Sequence, residues 1–334
     1  MALIELNKNG IYCAEAKVYI DPWKPVDRAF ITHGHSDHSR QGHKAYVSTN
    51  ASVPIIKHRL GSDINITGIA YGESISVNGV KFSFHPAGHI IGSAQVRAEG
   101  KGEVWVVSGD YKTENDGISG SFESVKCTHF ITESTFGLPV YKWKEQSEVF
   151  EEINNWWKEN QAQGKTTIIT AYSLGKAQRI LHNIDDTIGK IYCHGAIAKM
   201  NEAIIASGIH LKKTFLVEGE TKPKDFAGSL IMAPPGALGS TWMKRFKNVS
   251  VGIASGWMML RGARRRRGAD RGFVLSDHCD WDGLNQAIAA TGAENIYPTH
   301  GYTQIFSRWL REQGYNSQPL ETEFEGESLE KTEA

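Results

Sequence analysis

"FITHGHSDHSR" fills residues 30 to 40, and its reading decides the rest of the chain. His33, His35, Asp37 and His38 crowd together directly after an apolar run that ends at Ile31. Neutral imidazole and carboxylate are suitable ligands for zinc or manganese. In an HxHxDH stretch, residues before and after a tight turn can point at two separate ions, with Gly34 letting the turn close. A polar loop with exposed histidines would explain one or two such residues. Four of them after a buried strand would repel one another at low pH without a cation.

One cluster cannot complete two metal shells, so further ligands must lie elsewhere. Three residues share the same grammar of a polar residue at the end of a β-run: His89 in "HPAGHIIGS", Asp110 in "WVVSGDY" and His300 in "IYPTHGY". Asp21 in "VYIDPW" also ends an apolar run. A lone strand-end aspartate is usually a turn former. As a set, these residues point to metal chemistry.

Bulk composition limits the alternatives. A chain of 334 residues has the length for two domains and a sizeable core. Its 37 basic and 37 acidic residues balance, so no global field draws in nucleic acid and any such binding must use a local patch. Cys13, Cys127, Cys193 and Cys279 show no CxxC spacing, which fits a reducing compartment and argues against a thiolate zinc site. "MALIELNKNG" lacks the basic and apolar regions of a signal peptide. No apolar stretch approaches the ~18 residues of a membrane span. The expected location is cytoplasmic, with no membrane partner.

The texture changes along the chain. Residues 26 to 110 read as short β-runs ("VDRAFITH", "KAYVST", "GVKFSFHPAG", "GEVWVVSGD"), the last two separated by "HIIGSAQVRAE". From about residue 145 the spacing predicts helix "EQSEVFEEINNWWKENQAQG", strand "KTTIITA", helix "LGKAQRILHNID", strand "GKIYCH" and helix "AIAKMNEAIIASG". After "GFVLSDH" come helix "WDGLNQAIAATG", strand "ENIYPTH" and helix "YTQIFSRWLREQG". Such alternation implies βα units on a parallel sheet, an α/β chain. "FEGESLEKTEA" reads as a frayed acidic tail.

THGHSDH, AGHxxGS and SGD, in this order and at these separations, resemble the binuclear site of the metallo-β-lactamase fold. "FITESTFG" (130–137), "LSDHCDWDGL" (275–284) and "PTHG" resemble the three extra motifs of the β-CASP nucleases, which include Artemis-type DNA nucleases and RNase J. "ITESTFGLPVYKW", "AYSLGKAQR", "ASGWM" and "LSDHCDWD" together look like the bacterial ligase-associated DNA exonucleases. The resemblance covers about residues 1 to 315. It implies an αββα metallo-β-lactamase sandwich built from 1–140 and 273–334, with an inserted α/β β-CASP domain at 141–272.

Carried over, the resemblance gives one metal to His33, His35 and His89. Asp37, His38 and His300 would hold the other, Asp110 would bridge both, and Asp21 would orient His38. Glu133 and His278 resemble the acid–histidine pair of the first two β-CASP motifs, the histidine protonating the leaving oxygen and the acid holding its tautomer. Two divalent ions, zinc or manganese, would clamp the phosphate for in-line attack. At the third β-CASP position Artemis-type DNA nucleases carry valine and RNA-processing branches carry histidine, as this chain does at His300.

In "TAYSLGKAQR", Ser173 reads as a helix N-cap with Lys176 in the first turn, an arrangement that suits an anion or is simply a capped helix. The resemblance turns it into a pocket for a terminal phosphate formed by Tyr172, Ser173 and Lys176, with Ser255 and Gly256 of "ASGWM" as further donors. "RGARRRRGADRG" (261–272) is either a solvated loop or a lining for a phosphate backbone. Trp156, Trp157 and Trp281 are expected in the core rather than stacked on bases.

The function expected is a metal-dependent DNA exonuclease acting from 5′-phosphorylated ends in repair, with a DNA ligase as functional neighbour. An RNase J-like ribonuclease of the same fold is the second reading. A small-molecule metallo-hydrolase would not need the insertion between Glu133 and His278, and a binding module without catalysis would not need every ligand position filled.

Overall fold

The structure, a computed structural model, describes residues 2–218, 223–260, 262 and 268–324. Arg261, the arginines of 264–267 and the tail from 325 onward lie outside the described residues. The described residues divide into two units, one formed by the chain up to Lys142 together with the chain from His278 onward, the other by Trp143–Asp277.

The first unit begins with β1 (Ile4–Asn7), β2 (Gly10–Cys13), β3 (Val18–Ile20), β4 (Arg28–Phe30), β5 (Ala45–Thr49) and β6 (Ile66–Ile69), paired in that order. The sheet is antiparallel up to β3 and parallel from β3 onward. Helix α1 (Ser52–Leu60) joins β5 to β6. A second sheet then forms from β7 (Ser74–Val77), β8 (Val80–Pro86), β9 (Ala94–Gly100), β10 (Glu103–Val107) and β11 (His129–Glu133). The β7–β8 hairpin turns at Asn78-Gly79, both at positive φ, the residue pair favoured by a two-residue turn whose twist matches its strands.

The second unit opens with α2 (Gln146–Ala162) and β12 (Thr166–Thr170), then α3 (Lys176–Asn183), β13 (Ile191–Cys193), α4 (Gly195–Ala206), β14 (Phe215–Leu216), β15 (Leu230–Ala233), β16 (Val249–Ala254) and β17 (Arg271–Phe273). Its sheet is wholly parallel, in the order β14-β13-β15-β12-β16-β17. Every residue of the central β12 is buried, as expected of a strand covered on both faces. Ile169 packs with Trp157, Ile180 and Ile197 on one side, and Ile168 packs with Phe226 and Phe246 on the other.

The chain then returns to the first unit with α5 (Trp281–Thr291), β18 (Asn295–Thr299), α6 (Thr303–Glu312) and β19 (Asn316–Ser317). Asp280 caps α5 by accepting from the Gly283 N–H at 2.8 Å, and Gly292 ends the helix in the left-handed region. The second sheet is ordered β19-β18-β11-β10-β9-β8-β7. Between the two sheets lies a core in which Ile11, Val18 and Phe30 meet Phe82, Phe84, Val96 and Val107. Ile56 of α1 packs on Ala29 and Tyr46 outside the first sheet, and Leu284 and Leu310 pack on Val106 and Phe130 outside the second. The layers therefore run helix, sheet, sheet, helix.

Several elements differ from the sequence expectation. The spacer "HIIGSAQVRAE" supplies β9, and α1 forms where no helix is expected. Strands β15 and β16 flank β12 at the centre of the third sheet, β15 being a short apolar run with no alternation to mark it and β16 alternating only over Val249–Ile253. Trp156 and Trp157 are core residues, as expected.

Candidate metal centre

Metal-ligating side chains gather where strands of the first unit end. Beyond β4 the chain runs through Thr32 into His33, and His89 follows β8. Asp110 follows β10, and His300 follows β18. Gly109 takes φ +55°, and a Cβ there would sit 2.6 Å from Thr32 Oγ1, so only glycine lets this turn pass the first metal-binding loop. Gly301 plays the matching part after His300, because a Cβ would lie 2.6 Å from Ser134 O. Gly34 is not among the glycines of positive φ; its contribution is a carbonyl that accepts from Arg59 Nη1.

All seven sequence-derived candidates come together in two groups. His33, His35, His89 and Asp110 form one, and Asp37, His38 and His300 form the other. In the first, His35 Nδ1 lies 3.2 Å from His33 Nε2 and 3.1 Å from His89 Nε2. Asp110 Oδ2 lies 3.6 Å from His33 Nε2 and 3.7 Å from both His89 Nε2 and His38 Nε2. Its other oxygen, Oδ1, faces His300 Nε2 at 3.8 Å. Donors around a tetrahedral zinc with ordinary bond lengths are about 3.3 Å apart, close to this spacing.

Hydrogen bonds on the far side of the rings set which nitrogen faces inward. Asp21 Oδ2 accepts from His38 Nδ1 at 2.7 Å, leaving the Nε2 lone pair for the site. Thr32 donates its hydroxyl to Asp21 Oδ2 at 2.5 Å and can therefore only accept from His33 Nδ1, at 3.0 Å. Thr299 donates towards Thr132 O and accepts from His300 Nδ1 at 2.9 Å. Buried His38 Nε2, His300 Nε2 and Asp110 Oδ1 consequently have no hydrogen-bond partner. A buried polar atom left so is costly, and cations between these donors would answer all three. The residues present fit a metal centre.

Charge points the same way. Burial pushes His33 well below its ordinary pKa and His300 down to about 3, keeping both as neutral ligands. Burial would lower His38 too, but the carboxylates of Asp37, Asp110 and Asp21 raise it to about 10. Burial pushes the Asp110 carboxyl up to about 7.

Beside Asp110 stand Glu133, the last residue of β11, and His278. Glu133 Oε2 accepts from His278 Nδ1 at 2.7 Å, and Glu133 Oε1 accepts from the Tyr111 N–H at 2.7 Å. Burial would raise Glu133, yet His278 and these hydrogen bonds hold it below the usual carboxylate range. The His278 ring lies 4.7 Å from that of His89.

In the second unit, Tyr172 and Ser173 follow β12, and Ser255 and Gly256 follow the neighbouring β16. Both loops thus leave the carboxyl ends of adjacent parallel strands, the usual place for ligands in such sheets. One expectation needs correction. Ser173 does not cap α3; Gly175 is the N-cap, and its N–H donates to Gln178 Oε1 at 2.7 Å. Lys176 stands in the first turn of α3, as expected, and is fully buried, 3.7 Å from Asp277 Oδ2.

Thr32, Thr299, Arg59 and Phe324 bear on the centre but were not foreseen. Thr32 and Thr299 were findable as hydroxyls immediately before His33 and His300; Arg59 and Phe324 act across distances the sequence does not reveal. Thr32→Val, which keeps the shape and removes the hydroxyl, should lower metal affinity about ten- to a hundredfold. Metal-buffer titration of the variant checks it, and an unchanged affinity would remove Thr32 from the centre.

No family model matches the chain. Among curated proteins, it is 26% identical over 308 residues to a protein of Opitutus terrae described as a probable DNA ligase, a match covering 92% of this chain and 30% of that protein. It is 27% identical over 203 residues to a ribonuclease of Thermus thermophilus, covering 52% of this chain and 44% of the relative. It is 29% identical over 123 residues to an endoribonuclease of Eremothecium gossypii, 36% of this chain and 16% of the relative. The chain thus spans well under two thirds of each of these relatives. A solved structure of a protein of unknown function from Enterococcus faecalis matches with a TM-score of 0.59 at 11% identity, over 89% of this chain and 79% of the other, a likeness of fold alone. Among the described residues, no helix is long and apolar enough to cross a membrane. The motifs resemble those of the β-CASP metallo-β-lactamase nucleases, and by sequence the chain is similar to two ribonucleases and a probable DNA ligase.

Proposed function

We propose that the chain is a metal-dependent phosphodiesterase that trims DNA from 5′-phosphorylated ends. The observation that carries it is the convergence of seven donors on strand ends, with three imidazoles turned so that Nε2 faces Asp110 or the ligands around it. The helix–sheet–sheet–helix layering of the first unit supports reading it as the metallo-β-lactamase sandwich, with residues 141–272 as the inserted β-CASP domain.

His33, His35 and His89 would hold one divalent cation and Asp37, His38 and His300 another, zinc or manganese, with Asp110 offering one oxygen to each. Two such cations supply Lewis acidity for the phosphate and an acidified nucleophile at neutral pH. The chain's own residues do the rest. Asp21 and Thr32 hold His38 and His33 in one tautomer. His278 carries a proton on Nε2 for the leaving oxygen while Glu133 holds Nδ1. Tyr172, Ser173, Ser255 and Gly256 would take the terminal phosphate, with Lys176 acting only indirectly because Asp277 already faces its charge.

The relative described as a DNA ligase, matched over most of this chain, supports DNA as the substrate and a ligase as functional neighbour. Four buried free cysteines fit a cytoplasmic setting. His300 and the two ribonuclease relatives favour RNA as the second reading. End-labelled single-stranded DNA and RNA, each with and without a 5′ phosphate, test the choice with manganese or zinc added. Chelator-sensitive trimming of DNA, faster with the phosphate, is expected. Cleavage of RNA alone would install the second reading, and cleavage of neither would sink both.

A further inference from the structure

We infer that Phe324 is a positioning residue of the metal centre, one that fixes His38 and His300 and slows loss of the cation they would hold. The inference rests on the reading of these residues as metal ligands. Phe324 lies at the end of a segment that follows β18: the Gln318 N–H donates to Ile296 O at 3.1 Å and the Leu320 N–H to Pro298 O at 2.9 Å. Leu320 and Phe324 pack on the rim of the core between the sheets. Arg40, at the end of the HxHxDH stretch, ties the segment down. Its Nη2 donates to Glu323 O at 2.6 Å, its Nη1 to Trp23 O at 3.4 Å and its Nε to Asp37 O at 3.3 Å.

So anchored, the Phe324 ring lies nearly parallel to two imidazoles. Its centroid is 4.4 Å from that of His38 at 9° and 4.8 Å from that of His300 at 5°. Those imidazoles are themselves stacked at 5.1 Å and 13°, and Trp23 meets Phe324 edge-on at 5.7 Å. Hydrogen bonds donated to Asp21 and Thr299 hold each imidazole at Nδ1, and a flat ring against the faces limits the remaining swing. The same apolar ring, itself half-buried, lies against both ligands, and exclusion of water from around a site slows exchange of its ligands. Its ring partners are Trp23, His38 and His300, so the effect belongs to one group of donors and not to His33, His35 and His89.

The test uses the full chain loaded with zinc, from which metal is withdrawn by a coloured chelator and followed in time. Wild type should release two ions in two phases. Phe324→Ala should speed one phase about tenfold, the scale of an outer-shell loss, and leave the other unchanged. Phe324→Tyr, which keeps the ring, should restore the wild-type trace, and Phe324→Leu, apolar but not planar, should not. Two phases indifferent to all three variants would overturn the inference alone, as would equal acceleration of both. A wild type that binds no zinc would overturn the metal reading itself, and this inference with it.

Discussion

Asp110→Asn is expected to lose both metal ions and to lower kcat/KM at least about a thousandfold, since ions that polarise a phosphate contribute several kcal/mol to the barrier. Asp110 is the carboxylate shared by the two donor groups, with Oδ2 facing His33, His38 and His89 and Oδ1 facing His300. An amide keeps the shape but offers a neutral oxygen and a nitrogen that cannot ligate. The loss must be separated from unfolding, and linkage provides the means. The folded Asp110 pKa is raised by burial to about 7, above its unfolded value. Its contribution to stability is therefore present at low pH and lost as pH rises through about 7, where a charge is forced onto a buried group. Asparagine avoids that charge. Without metal at pH 8, the variant should melt no lower than the wild type, while elemental analysis after reconstitution finds it empty. A variant that keeps two ions would refute the bridge; one that melts far lower would mean that Asp110 is chiefly structural.

The metal centre was legible in the sequence because its chemistry is concentrated. Four candidate ligands stand in one short stretch, and the other three each end a β-run, so a grammar of strand ends was enough to collect them. What holds those ligands was less legible. Thr32 matters only because its hydroxyl proton is already committed to Asp21, a partner eleven positions away. Phe324 matters through a fold that carries it back over His38, and by composition it read as the start of a frayed tail. The inserted unit was read well where helices are long and amphipathic, as in α2, and poorly where buried parallel strands are short. β15 shows four buried residues with no alternation to betray a face. The start of α3 was misplaced for a related reason. Its N-cap lies at Gly175, two residues beyond Ser173, because a glycine at positive φ and not a side-chain oxygen opens the helix.

His278→Ala is expected to keep both metals and lower turnover about a hundredfold or more, the range of a lost general acid. His278 lies next to Asp110 and Glu133, but its Nδ1 is bound to Glu133 Oε2 at 2.7 Å, and Glu133 is engaged in turn by the Tyr111 N–H. The same contact at Nδ1 orients His38 through Asp21, so it fixes the His278 imidazole without choosing between acid and ligand, and the metal content of the variant makes that choice. Leaving-group chemistry gives the discriminating measurement. A phosphodiester whose departing oxygen is a nitrophenolate needs no proton on departure, so the variant should recover much of its rate on that substrate while staying slow on DNA. Glu133→Gln should fall between the two, because glutamine can still touch Nδ1 but no longer favours the protonated ring. Equal losses on both substrates would mean that His278 positions the phosphate instead of protonating the leaving group. Loss of an ion from His278→Ala would mean that the cluster of Asp110, Glu133 and His278 holds a metal of its own.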